Sequence, residues 1–175
     1  MGLTIHFSLS LPANVPEEDV LNALNLLRSD AQRLVKAHFP KGRVGCLFSM
    51  DKDELVVAQA DVDCEPFGFA VQACRTIGTR GVKPKVGIGF ITRLTPNWEM
   101  ALGLCQYDAD ASIMVNWKAD EAGGYSGQWF FFDHFKPIGQ KDRAFVRTLL
   151  KLAATHGINV QFEDEASEEF GELKA

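Results

Sequence analysis

No apolar run in this sequence approaches the ~20 residues that a membrane-spanning helix requires, so a helical membrane protein is not expected. The common catalytic and cofactor signatures are missing as well. There is no Walker loop, no G-x-G-x-x-G between a strand and a helix, no H-E-x-x-H and no G-x-S-x-G. Cysteine is sparse: Cys46, Cys64, Cys74 and Cys105 form no C-x-x-C pair and lie too far apart to suggest a zinc clip. The opening residues show no basic region followed by an apolar stretch, so no export signal is expected. The cysteines therefore read as free thiols in a reducing compartment, which points to the cytoplasm. Cys46 and Cys105 fall in apolar strand patterns, where cysteine acts as a small hydrophobe. Positive charge is outnumbered, since 18 Lys and Arg against 23 Asp and Glu leave a net charge of −5. That balance argues against broad binding of nucleic acid or of anionic membranes. No cofactor is expected.

What is present suits one compact domain of 175 residues, 46% hydrophobic and 23% charged. Leu3, Ile5, Phe7, Leu9 and Leu11 alternate with Thr4, His6, Ser8 and Ser10, which predicts a half-buried strand with a polar side. Asn14, with Glu17 three residues later and Pro16 between them, predicts a capped helix start. That helix should run to about His38 and bury Val20, Leu21, Leu24, Leu27, Ala31, Leu34 and Val35, with Pro40 and Gly42 ending it. Strands are expected over 44–50 and 55–60, joined by the polar Asp51-Lys52-Asp53-Glu54 as a hairpin loop. Residues 61–84 fit a short helix and a strand equally. Val86, Ile88 and Phe90 alternate with Gly87 and Gly89, whose face would admit a close neighbour. Thr95-Pro96-Asn97 then turns the chain into a strand carrying Met100, Leu102 and Leu104 on one face. Ile113, Val115 and Trp117 mark a further strand, and Gly123-Gly124-Tyr125-Ser126-Gly127 a turn.

The most distinctive stretch is Trp129-Phe130-Phe131-Phe132-Asp133-His134-Phe135. Successive strand side chains point to opposite faces, so Trp129, Phe131 and Phe135 should oppose Phe130 and Phe132. A strand that is apolar on both sides is either covered twice or offers an aromatic patch to a partner. Beyond Pro137 and Gly139, a second helix over about 141–156 should bury Phe145, Leu149, Leu152 and Ala153. Gly157 sits at the left-handed cap position, with Ile158 as its hydrophobic contact. A last strand over 158–162 leads to an acidic C-terminal tail, 163–175. These elements predict an α+β fold: a single two-layer domain over 1–162, a largely antiparallel sheet of about seven strands, and two main helices on one face.

Three segments resemble a family of uncharacterised bacterial proteins. The opening Met1-Gly2-Leu3-Thr4-Ile5-His6-Phe7 is similar to that family's M-G-[IL]-[ST]-I-H-[FY] start. Val86-Gly87-Ile88-Gly89-Phe90 with Ala101-Leu102-Gly103-Leu104-Cys105-Gln106-Tyr107 resembles a glycine-containing segment ending in a G-L-C-R-Y-like string, with Gln106 in place of the basic residue. The final helix and Val160-Gln161-Phe162-Glu163-Asp164-Glu165 are similar to the family's end. The resemblance covers about a third of the chain and implies a bacterial protein, with no activity attached.

Among candidate site residues, Asp133 and His134 with the distant His6 form the best catalytic set. A histidine titrates near neutral pH, and a carboxylate bonded to its ring orients it as a base. Adjacent strand residues face opposite ways, however, so Asp133 is poorly placed to bond the His134 ring. His6 meets His134 only if their strands pair. Asp61, Asp63 and Glu65 are the metal candidates, because alternate carboxylates of an extended segment share a face and suit a hard cation. Aspartates in turns that cap their own backbone give the same pattern. Arg143, Arg147 and Lys151 recur every four residues as a basic ridge that would hold phosphate or an acidic partner, or simply solvate a late helical face. The acidic tail is a further candidate to fold back on it. Trp129 and Phe131 are binding candidates if they reach the surface. Cys105 has no base beside it and reads as core.

The sequence therefore predicts a binding or self-assembly module without catalysis of its own, whose partner is another protein or a second copy joined through a sheet edge or the aromatic face. One alternative is a small hydrolase or isomerase using His6 and His134. Another is a metal-binding protein using Asp61, Asp63 and Glu65.

Overall fold

The opening alternation becomes strand β1 (Ile5–Leu11), flanked on both sides by antiparallel neighbours. The computed structural model describes residues 3–74, 83–107, 128–166 and 169–173. Along the chain follow helix α1 (Glu17–His38), β2 (Arg43–Val44), β3 (Phe48–Asp51), α2 (Lys52–Ala60) and α3 (Phe67–Ala73). The second half holds β4 (Val86–Thr95), β5 (Trp98–Gln106), β6 (Trp129–Phe135), α4 (Gln140–Thr155), β7 (Asn159–Asp164) and β8 (Glu169–Leu173). The strands form one open sheet in the order β2-β4-β5-β6-β1-β7-β8, with β3 sharing the outer edge of β4 with β2. Every pairing is antiparallel. This is the expected α+β architecture. Among the described residues, no helix is long and apolar enough to cross a membrane.

Helices α1 and α4 cover one face, as the sequence predicts. Val20, Leu24, Leu27, Ala31 and Val35 of α1 and Phe145, Leu149 and Ala153 of α4 pack on Ile5, Phe7, Leu9, Phe90, Leu102 and Val160. Acidic residues fill the first turn of α1, and Lys36 and His38 lie in its last, both matching the helix dipole. The cap differs from expectation. Pro16 is the N-cap residue, with no side-chain bond, and Asn14 takes no part. The chain entering α1 is held instead by the Trp129 indole N–H, which donates to the Val15 carbonyl at 2.9 Å. Gly157 ends α4 with φ +84°, and the Gly157 and Ile158 amides donate to the carbonyls of Ala154 and Ala153. That is the Schellman arrangement, with Ile158 fully buried.

The opposite face carries a second, smaller helical layer, α2 and α3, that a two-layer reading omits. The expected strand over 55–60 is helical because Asp51 and Glu54 are a capping box: Asp51 accepts the Glu54 amide at 2.9 Å, and Glu54 accepts the Asp51 amide at 2.8 Å. Leu55 and Ala58, three residues apart, are its buried positions. The undecided 61–84 segment contains α3, whose Phe69 lies on a floor made by Gly87, Gly89 and Gly103. The expectation that the glycine face would admit a close neighbour is met by this ring. Cys46, expected in a strand, is exposed between β2 and β3.

Strand β6 is central, and its first three residues are covered on both sides. Trp129, Phe130 and Phe131 are each 1% exposed. Trp129 and Phe135 belong to the α1–α4 side, where Phe135 meets Trp98 edge-on at 4.0 Å. Phe130 lies on the other side, in line with Cys105. Phe131 departs from the strict alternation: its ring stacks on Phe69, 5.0 Å between centroids, within the α3 cluster. Register between β5 and β6 is kept at Cys105–Phe130 and Gln106–Trp129, and Phe131 is the next residue beyond it. The segment expected as an acidic tail is also structured. Glu163 and Asp164 complete β7, and β8 returns beside it with Asp164 opposite Glu169 and Val160 opposite Leu173. The edge of β7 presents backbone donors and acceptors that the returning chain satisfies. The expected strand at Ile113–Trp117 and the turn at 123–127 lie outside the described residues.

A Cβ at Gly103 would run into the Phe69 ring and the Ile88 carbonyl oxygen. Gly103→Ala should therefore destabilise the protein by about 2 kcal/mol in urea unfolding. Gly139→Ala, where a Cβ meets nothing within 4 Å, should cost less than about 1 kcal/mol.

Candidate functional site

The pleat of β1 sends Ile5, Phe7 and Leu9 into the core and His6, Ser8 and Ser10 to the other face. Register places His134, Phe132 and Phe130 of β6 on one side of these three, and Glu163, Gln161 and Asn159 of β7 on the other. Helices α2 and α3 pack on β3, β4, β5 and β6. Beyond them the polar face is accessible, with the His134 side chain 46% exposed.

His6 and His134 are direct register partners, with ring centroids 6.1 Å apart and planes tilted by 34°. The condition that their strands pair is thus satisfied. On the far side of His6 stands Glu163, its partner in β7. Glu165 reaches round from the end of that strand, its Oε1 lying 3.2 Å from His6 Nε2. The Thr4 amide donates to Glu165 Oε2 at 2.7 Å, and the Glu165 amide donates to the Thr4 carbonyl at 3.1 Å. The Thr4 amide, and then the His6 ring, hold the Glu165 carboxyl below its ordinary pKa. Asp133 behaves as the alternation argument requires. Its Oδ1 accepts the His134 backbone amide at 2.8 Å, whereas the ring Nδ1 is 3.9 Å away, beyond hydrogen-bond reach. Asp133 therefore braces the strand through the His134 amide. The outcome is a row of two imidazoles flanked by carboxylates, a set of donors and acceptors able to hold a polar ligand.

The remaining candidates are built into the structure. Asp164, fully buried on the α1–α4 face, is ion-paired to Arg143 Nη1, and Arg147 Nη1 lies 3.8 Å from its other oxygen. Arg143 also donates to the Leu3 carbonyl at 2.9 Å. The basic ridge thus receives an acidic residue of its own chain at Arg143 and Arg147. Trp129 and Phe131 are core residues, so neither offers a binding surface. Asp61, Asp63 and Glu65 do not converge: Asp61 closes α2 and accepts the Asp63 amide at 3.1 Å, as aspartates do in turns. Among the described residues no group of three or more His, Cys, Asp or Glu is placed to hold a metal. Burial pushes the Cys105 thiol far up, keeping it protonated in the core as expected. The same cause raises Tyr107, whose hydroxyl donates to the Ala73 carbonyl at 3.0 Å.

Glu163 and Glu165 are the site residues that sequence reasoning missed. They lay within a stretch read as tail, and no local signal ties an acidic residue at 165 to a histidine at 6. No family model, no curated protein and no solved structure matches this chain.

Asp164→Asn removes the charge that two arginines share, and chemical unfolding should show a loss of about 3 kcal/mol. Glu165 is 40% exposed, so solvent screening limits its contribution to under about 1 kcal/mol. Its folded pKa is lowered, so that stability is fully present above the ordinary glutamate range near ~4.3 and is lost as pH falls through the depressed value. The gap between wild type and Glu165→Gln should accordingly close as pH falls through the depressed value. A gap that persisted below it would contradict this.

Proposed function

We propose that this protein is a cytoplasmic binding module whose recognition surface is the polar side of β6, β1 and β7, centred on His6 and His134. The observation that carries this reading is the direct pairing of the two imidazoles on an accessible face, with Glu163 and Glu165 beside them. Hydrophobic capture by the aromatic strand is set aside, because Trp129, Phe130, Phe131 and Phe135 are committed to the core. Glu163 and Glu165 place carboxylates beside the two imidazoles, and that local negative charge favours a ligand carrying a basic group. A protein partner or a second copy that presents such a group fits the site, and β8 at the sheet edge offers a second copy a place to pair.

The test is titration of the ¹⁵N-labelled protein with arginine amide at pH 7.5. Shifts should be confined to residues around His6, His134 and Glu163, and binding should weaken roughly fivefold in His6→Ala and in Glu165→Gln. Shifts scattered over the surface, or unaffected by both substitutions, would refute the reading.

A second reading, general acid–base chemistry by the same pair, is favoured by the 3.2 Å contact that orients His6 through Glu165. Ser8, two residues along on the same face, is buried and shares no hydrogen bond with either ring, so a serine nucleophile is not assembled. Turnover of a substrate that is lost in His6→Ala while its binding survives would favour this second reading.

A further inference from the structure

Away from the histidines, the turn end of the β4–β5 hairpin gathers positive charge. Arg43 of β2 stands directly opposite Arg93 of β4, and like charges so placed on an antiparallel pair repel. Lys41 joins them in lining a depression of about 430 Å³ with Thr95, Pro96 and Glu99. Glu99 answers part of this charge: its Oε2 accepts both Nε and Nη2 of Arg93, each at 2.8 Å. Among the described residues Lys41 and Arg43 have neither an ion pair nor a side-chain hydrogen bond. Three cations and one carboxylate therefore face one concavity in a protein whose net charge is −5. Elsewhere, Arg143 and Arg147 both face a buried anion of the chain itself, Asp164. At Arg43 and Arg93 the one carboxylate, Glu99, pairs with Arg93 alone.

We propose that this depression is an anion site for a phosphate-type group, bound by Lys41, Arg43 and Arg93. A tetrahedral dianion presents several acceptor oxygens at once, matching two guanidinium forks and an ammonium better than a single planar carboxylate does. The Thr95 hydroxyl, at the same wall, adds an uncharged donor. Glu99 is a positioning residue: by holding Nε and Nη2 it turns the Arg93 guanidinium and leaves Nη1 for the ligand. The site is independent of the histidine face.

The experiment is calorimetry and thermal unfolding of the full chain with inorganic phosphate, against sodium chloride at matched ionic strength. Phosphate should bind saturably and raise the melting temperature, and chloride should not. Arg43→Ala and Lys41→Ala should each raise the phosphate Kd by roughly tenfold. Without phosphate, Arg43→Ala should melt no lower than wild type, since it relieves a like-charge pair, whereas a structural arginine would show a loss. O-phosphoserine separates the sources: tighter binding than phosphate assigns an esterified ligand, and equal binding assigns the free ion. Failure of phosphate to saturate, an equal effect of chloride, or undiminished binding in both variants would overturn the proposal.

Discussion

The register of β1 between β6 and β7 is the constraint on which the molecule turns. Side chains on a strand alternate with a period of two, so a slip of one residue would exchange the faces of every one of them. In the observed register Ile5, Phe7 and Leu9 meet α1 and α4, while His6 stands between His134 and Glu163. One pairing thus builds the larger core and the polar row together. Asp164, the last residue of β7, is sealed under two arginines, while Glu165 just beyond the strand turns back to bond an accessible imidazole.

The second face depends on absent side chains. Gly87, Gly89 and Gly103 let the Phe69 ring lie directly on the backbone of β4 and β5, and Phe48 and Phe131 close around it at 5.0 Å each. Helix α3 is only seven residues long and would not be stable alone, so this aromatic anchor is what seats it. Once it is seated, the rings of β6 have cover above and below. A stretch that in isolation suggests a sticky surface is thus enclosed over Trp129, Phe130 and Phe131.

Charge is handled in three ways. Asp164 is buried and shared by two arginines, an arrangement that tolerates no loss of either sign. Glu165 is half-exposed and contributes little to stability, but it orients His6. At Arg43 and Arg93 like charges are held face to face with one carboxylate between them. The first arrangement belongs to folding; the other two leave polar groups accessible.

Periodicity in the sequence determined β1, α1, α4, the β4–β5 hairpin, the twice-covered aromatic strand and the Gly157 cap, because each rests on local pattern. It misread 55–60, where the polar Asp51–Glu54 link reads as a hairpin loop although Asp51 and Glu54 form a capping box that starts a helix. It also left α3 undecided, because a seven-residue apolar segment carries too few turns to show its period. The site was half legible: His6 and His134 could be singled out by chemistry, but their meeting needed a strand order that brings residue 134 beside residue 6. The partnership of Glu165 with His6, of Asp164 with Arg143, and of Arg43 with Arg93 was decided by tertiary structure alone. Each joins residues far apart in the chain, and only long-range register, which no local pattern encodes, sets which of them stand within a few ångströms.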